Sequence, residues 1–225
     1  MRLNRLAGFA AVLVALSTAT ASAQMRITEW MYSGNGGEFI EFTNFGPGPV
    51  SLAGWSYDDD SRVPGTFDLT PLTASSDVAV GESVVITEDT EAVFRATWSL
   101  PSSVKVLGGY TNNIGRNDEI NLYDDLTALV DRLTYGDQDF PGSIRTQEQS
   151  GNPISLAALG ANDAYQWQLA TVGDMYGSYT SLLGDVGNPG TFVIPEPSSV
   201  LLMVMGSALL LGARLRKFAR TRRAG

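Results

Sequence analysis

The sequence contains no cysteine and no histidine. Without cysteine no disulfide can staple the chain, so its stability has to come from burial and hydrogen bonding, and thiolate nucleophiles and metal ligands are excluded as well. Without histidine there is no Ser-His-Asp triad and no imidazole ligand for zinc or iron. Positive charge is scarce through the middle of the chain. Over residues 24–194 only Arg26, Arg62, Arg95, Lys105, Arg116, Arg132 and Arg145 are basic, against 23 acids, a formal charge of −16. Such a segment is repelled by phosphate backbones, which argues against a nucleic-acid partner. Divalent cations and positively charged surfaces suit it better.

Long apolar runs are also few, and the two that stand out flank this acidic segment. Arg2 and Arg5 precede the apolar stretch 6–16, and Ala21-Ser22-Ala23 offers small residues for cleavage before Gln24. This is the pattern of a secretory signal peptide over residues 1–23. Beyond the acidic segment, Pro195-Glu196-Pro197 is followed by uncharged residues as far as Ala213, then by Arg214, Arg216, Lys217, Arg220, Arg222 and Arg223. About 17–25 apolar residues cross a hydrocarbon core of roughly 30 Å. Arg214 can snorkel to the headgroups, which extends the expected transmembrane helix over 198–215, and the basic tail 216–225 favours the cytoplasmic side. Motif, span and basic tail in this order resemble the PEP-CTERM sorting signal of Gram-negative envelope proteins. The resemblance implies an inner-membrane intermediate, with Pro195, Glu196 and Pro197 read by an exosortase that cuts nearby. It also implies a final place at the cell surface or outside the cell.

The exported segment is long enough for one ordinary domain with a real core. Runs at 27–32, 38–43, 83–87, 105–107, 119–123 and 129–135 are rich in β-branched and aromatic residues and are separated by Gly, Pro, Asn and Asp, which predicts strands. Alternation in 119–123 predicts Ile120 and Leu122 facing inward, with Glu119 and Asn121 outward. In 129–135 the apolar parity places Asp131 among Leu129, Leu133 and Tyr135, so either Asp131 is hydrogen-bonded or a bulge shifts the register. One short helix is expected, capped by Thr87 or Asp89, with Val93, Phe94, Thr97 and Trp98 on one side and Pro101 beyond its end. Gly34-Asn35-Gly36-Gly37 suits a hairpin turn. It is not a phosphate loop, since no lysine and no helix follow.

Six segments in order carry a second resemblance: Ile27-Thr28-Glu29-Trp30, Glu38-Phe39-Ile40-Glu41-Phe42-Thr43-Asn44, Val50-Ser51-Leu52-Ala53-Gly54-Trp55, Val80-Gly81-Glu82-Ser83-Val84-Val85-Ile86, Asp118-Glu119-Ile120-Asn121-Leu122-Tyr123-Asp124 and Val130-Asp131-Arg132-Leu133-Thr134-Tyr135. Together they resemble the lamin-tail domain. The resemblance implies an all-β, immunoglobulin-like β-sandwich with one short helix. Trp55, entering a strand from a tight turn, is expected in its core. The alternating stretch 165–169 predicts another strand, with Trp167 completing the sandwich. The resemblance implies closure on a Trp-containing strand followed by a Pro-Gly turn, which extends the expected domain to 24–190, with 191–197 as an extended linker.

Two chemistries are open to the acids. Asp58, Asp59 and Asp60, joined in space by Asp118 or by Asp124 and Asp125, are a candidate calcium site, although no EF-hand spacing is present. Paired carboxylates would serve a secreted glycosidase, but sequence spacing does not measure the gap between two carboxyls. The reading that fits the whole chain is a non-catalytic sandwich that binds a polysaccharide or an envelope protein. A carboxylate-dependent hydrolase and an unprocessed membrane protein are the alternatives.

Overall fold

Alternation of apolar and polar residues fixes which side of each strand is buried, and two sheets result. The computed structural model describes residues 25–193. The leader, the Pro195-Glu196-Pro197 motif, the apolar span and the basic tail lie outside the described residues. The strands are β1 (Met25–Met31), β2 (Phe39–Asn44), β3 (Ser56–Asp58), β4 (Phe67–Asp68), β5 (Ser83–Thr87) and β6 (Lys105–Gly108), with the helix α1 (Glu91–Trp98) between the last two. They continue with β7 (Asp118–Tyr123), β8 (Leu129–Tyr135), β9 (Gly151–Pro153), β10 (Trp167–Leu169), β11 (Tyr179–Thr180) and β12 (Val186–Gly187). One sheet runs β10-β9-β1-β2-β5-β6, the other β4-β3-β7-β8, and β11-β12 is a separate hairpin.

The two sheets face each other as a sandwich. Ile27 and Trp30 of β1, Ile40 and Phe42 of β2, and Val84 and Ile86 of β5 meet Tyr57 of β3, Ile120 and Leu122 of β7, and Leu133 and Tyr135 of β8 in one core. A bulge between Ile27 and Glu29 lets both Ile27 and Trp30 point inward despite their odd spacing. Trp55 and Trp167 join the same core. Trp55 arrives through a tight turn, its N–H donating to Leu52 O at 3.0 Å while Gly54 takes φ 78°. A residue with a Cβ would strain there.

Asp131 meets both conditions expected of it. Its carboxylate accepts the Ile27 and Arg132 N–H groups, each at 2.9 Å. The β7–β8 register also shifts between Leu122 and Tyr123.

β5 and β6 are the one parallel pair among the described strands, so α1 has to cross between them on the outer face of the larger sheet. Phe94, Thr97 and Trp98 are buried there, with Phe94 and Trp98 against Met31, Phe39, Val85 and Val106. Two details differ from the sequence expectation. The cap is Thr90, whose side chain accepts the Val93 N–H at 3.3 Å, because the Thr87 hydroxyl is committed to Glu38 O at 2.8 Å within the sheet. Val93 is 49% exposed, because the bulk of Phe94 and Trp98 sets which side of the helix faces the sheet.

Beyond β8 the chain returns to the larger sheet. β9 pairs with the free edge of β1, β10 pairs with β9, and the β11–β12 hairpin lies beside α1, with Tyr179 OH donating to Trp98 O at 2.8 Å.

Candidate functional site

The outer face of the smaller sheet is polar. Glu119 and Asn121 on β7 point away from the core, as alternation requires, yet they are only 5% and 0% exposed. The loop after β3 closes over them. Arg62 donates to both Glu119 oxygens, at 2.7 and 2.5 Å, Thr134 adds a hydroxyl at 2.8 Å, and Arg132 approaches at 3.6 Å. This bidentate guanidinium, with the neighbouring donors, lowers the Glu119 carboxyl to about 2. Asn121 links the pieces, accepting from Arg132 at 2.5 Å and donating to Asp59 O at 2.6 Å.

Removing the guanidinium with Arg62→Ala is expected to return Glu119 toward the ordinary carboxylate range. A carbon-13 titration of the Glu119 carboxyl reads this directly, and an unmoved midpoint would show that Arg62 is not its main partner. Whatever stability the depressed carboxyl supplies is present above its ordinary range and is lost only as the pH falls through about 2.

Asp58, Asp59 and Asp60 sit at the mouth of this loop and do three different jobs. Asp58 is fully buried, and both its oxygens are occupied. One accepts Asn112 Nδ2 at 3.1 Å, the other the Ser61 hydroxyl at 2.8 Å and the Val63 N–H at 2.6 Å. Asp59 folds the turn by accepting the Ser61 N–H at 3.1 Å. Asp60 is exposed and lines a shallow depression of about 200 Å³ with Arg62, Asp118 and Asp139.

The register keeps the other acids away from Asp58. Asp58 pairs with Asn121, so Asp118 lies three residues to one side and Asp124 three to the other. Asp118 accepts the Gly115 N–H at 2.6 Å, and Asp124 holds its own turn through the Leu126 and Ala128 N–H groups. Among the described residues no three carboxylates gather as a metal-binding group.

A larger cleft of about 440 Å³ lies along the edge strand β6, lined in part by Ser75, Ser76, Ser102, Ser103, Arg95 and Lys105. Lys105 donates to the Ser76 hydroxyl at 2.8 Å and meets Glu82 at 3.4 Å. Arg95 is held by Glu91 at 2.7 Å and by Val104 O at 2.6 Å. The acids of this cleft are therefore already paired with cations. What it offers a ligand is hydroxyl groups and neutralised charge, the chemistry of hydrogen-bonding recognition. Sequence reading missed this cleft because its serines come from two loops with no periodic signal.

A family model for the lamin tail domain matches residues 18–137, just over half of the 225-residue chain. The chain belongs to the lamin tail domain family. Searches of curated proteins and of solved structures give no match. The lamin tail match takes in β1 to β8 with α1, and thus both faces of the sandwich and the polar loop around Arg62. β9 to β12 lie beyond the matched residues, though β9 pairs with β1 and β10 with β9 in the same sheet.

Proposed function

We propose that this is an exported envelope protein of a Gram-negative cell, whose lamin tail domain binds or builds rather than catalyses, and whose PEP-CTERM-like signal is read by an exosortase. The observation that carries this reading is the order of Pro195-Glu196-Pro197, an uncharged membrane-length run and six basic residues. No helix among the described residues is long and apolar enough to cross a membrane, so in this reading the anchor is the run at 198–215. Pro195 and Pro197 disfavour helix in the residues before them, which leaves Glu196 on an extended stretch between domain and bilayer. In the exported protein the serine-lined cleft along β6 would face the medium and take an extracellular polysaccharide or an envelope protein.

Glu196→Gln tests the signal. It removes one charge and keeps both prolines, so a mere spacer would tolerate it. The expected outcome is full-length protein retained in the inner membrane of cells with an active exosortase. Normal release of the variant would contradict the reading.

A further inference from the structure

The outer face of the larger sheet holds two acids where a sheet ordinarily keeps none. Glu29 of β1 and Glu41 of β2 are direct cross-strand partners, and both are fully buried. Side chains opposite one another in a sheet stand about 5 Å apart, where like charges repel. None of the ion pairs among the described residues involves either acid.

What covers them is the stretch 185–192, beyond the lamin tail match. Glu29 Oε1 accepts the Asn188 N–H at 2.8 Å and the Ser150 hydroxyl, and Glu41 Oε2 accepts the Gly190 N–H at 2.7 Å. Asp185 reaches into the glycine-rich β1–β2 turn and accepts the Asn35 and Gly36 N–H groups at 2.9 and 2.8 Å. Asn188 is buried between Asn152, which donates to it at 2.9 Å, and Thr191 O, which it reaches at 2.8 Å. Phe192 closes the stretch against Phe45 and Tyr176.

The two carboxyls are not equivalent. Glu41 has a donor on each oxygen, since Thr28 gives its hydroxyl to Oε1 at 2.6 Å. Glu29 Oε2 is buried with no partner. Two buried carboxylates without a counter-ion do not both stay ionised, so the pair holds a proton, and the orphaned oxygen of Glu29 is where it fits. We propose that residues 185–192 form a proton-linked clasp, which docks on the Glu29–Glu41 pair while the pair is protonated and lets go as its protons are lost.

The other titratable groups facing the pair do not rescue a second charge. Asp174 and Tyr179, from the chain just ahead of the covering stretch, face Glu29, and Asp185 brings a further acid nearby. Burial raises both carboxyls, Glu41 to about 7, and the Glu41 charge raises Glu29 further. With the clasp open and water admitted, both return toward ordinary values. Docking is therefore fully favoured below the ordinary carboxyl range and is lost as the pH rises through the docked values. Release of 186–192 lengthens the reach beyond the sandwich by roughly 20 Å, at about 3.3 Å per extended residue. This holds whether or not the chain is sorted as proposed.

Hydrogen exchange on the full-length protein in a neutral detergent, corrected for intrinsic rates, tests the clasp between pH 5 and pH 8. Protection of the amides at 186–192 is expected to fall by at least about tenfold over that range while β7 and β8 keep theirs. Glu29→Gln keeps an acceptor oxygen but leaves Glu41 to titrate, raised by burial, so its fall is expected to be smaller than the wild type's, and the double variant Glu29→Gln/Glu41→Gln is expected to be flat. Glu41→Gln, which leaves Glu29 raised by burial, is likewise expected to show a smaller fall and serves if the double variant does not fold. The clasp is overturned by a flat wild-type profile, by an undiminished fall in the double variant or in the single variant that replaces it, or by β7 and β8 losing protection together with 186–192.

Discussion

Trp30→Ala is expected to destabilise the domain by about 3–5 kcal/mol through lost burial and the cavity left behind. Trp30 is 1% exposed at the junction of three elements. Its ring centroid lies 3.8 Å from that of Tyr135 on the facing sheet and 6.5 Å from that of Trp167 on β10. One truncation therefore loosens the contact between the sheets and the packing of β10 together. For a domain of this size the melting temperature should drop by roughly 10 °C. Leu126, 79% exposed in the β7–β8 turn, is the control, and Leu126→Ala should change stability by no more than about 0.5 kcal/mol. Calorimetry on both variants decides it. Equal melting temperatures would place Trp30 outside the core.

The second large effect is on pH. Glu38 is raised to about 8 by burial with the Glu88 charge beside it, and Glu41 to about 7 by burial. Glu29, Asp118 and Asp131 are raised too, each by burial first. A carboxyl raised in the folded state binds a proton that the unfolded chain has already given up. Its contribution is fully present below the ordinary carboxyl value and is lost as the pH climbs through the folded one. The acids lowered by hydrogen bonding, Glu119, Asp137 and Asp174, act only at more acidic pH. The domain should therefore be more stable at pH 5 than at pH 8, by about 2–4 kcal/mol once solvent screening is allowed for. Melting curves at fixed ionic strength measure this, and Glu38→Gln with Glu41→Gln should flatten the dependence. A higher melting temperature at pH 8 would mean that the acids are ionised in the folded protein.

Much of this architecture was legible in the sequence, and the reason is periodicity. Glu119-Ile120-Asn121-Leu122-Tyr123 alternates cleanly and forms β7 within one residue of the expected bounds. The ordered segments from Ile27 to Tyr135 carried the lamin-tail resemblance, and the family match spans them. What stayed hidden is whatever depends on the element lying over a face. Alternation tells that Glu119 points outward, not that Arg62 will fold across it. Three cap-competent residues close together, Thr87, Asp89 and Thr90, do not reveal which hydroxyl the sheet will claim. A run of three aspartates gives no sign that Ser61, Val63 and Asn112 occupy the first of them. The covering stretch 185–192 has no periodic signal at all, so the pairing of its amides with Glu29 and Glu41 emerges only in three dimensions.

In the proposed function, the lamin tail domain is the part that remains once both flanking segments have been removed. Intact mass of the protein recovered from producing cells with an active exosortase tests this most directly, because one value reports both ends. The expected mass corresponds to a chain beginning at Gln24 and ending near Pro195-Glu196-Pro197. A mass matching the whole chain from Met1 to Gly225 would contradict it.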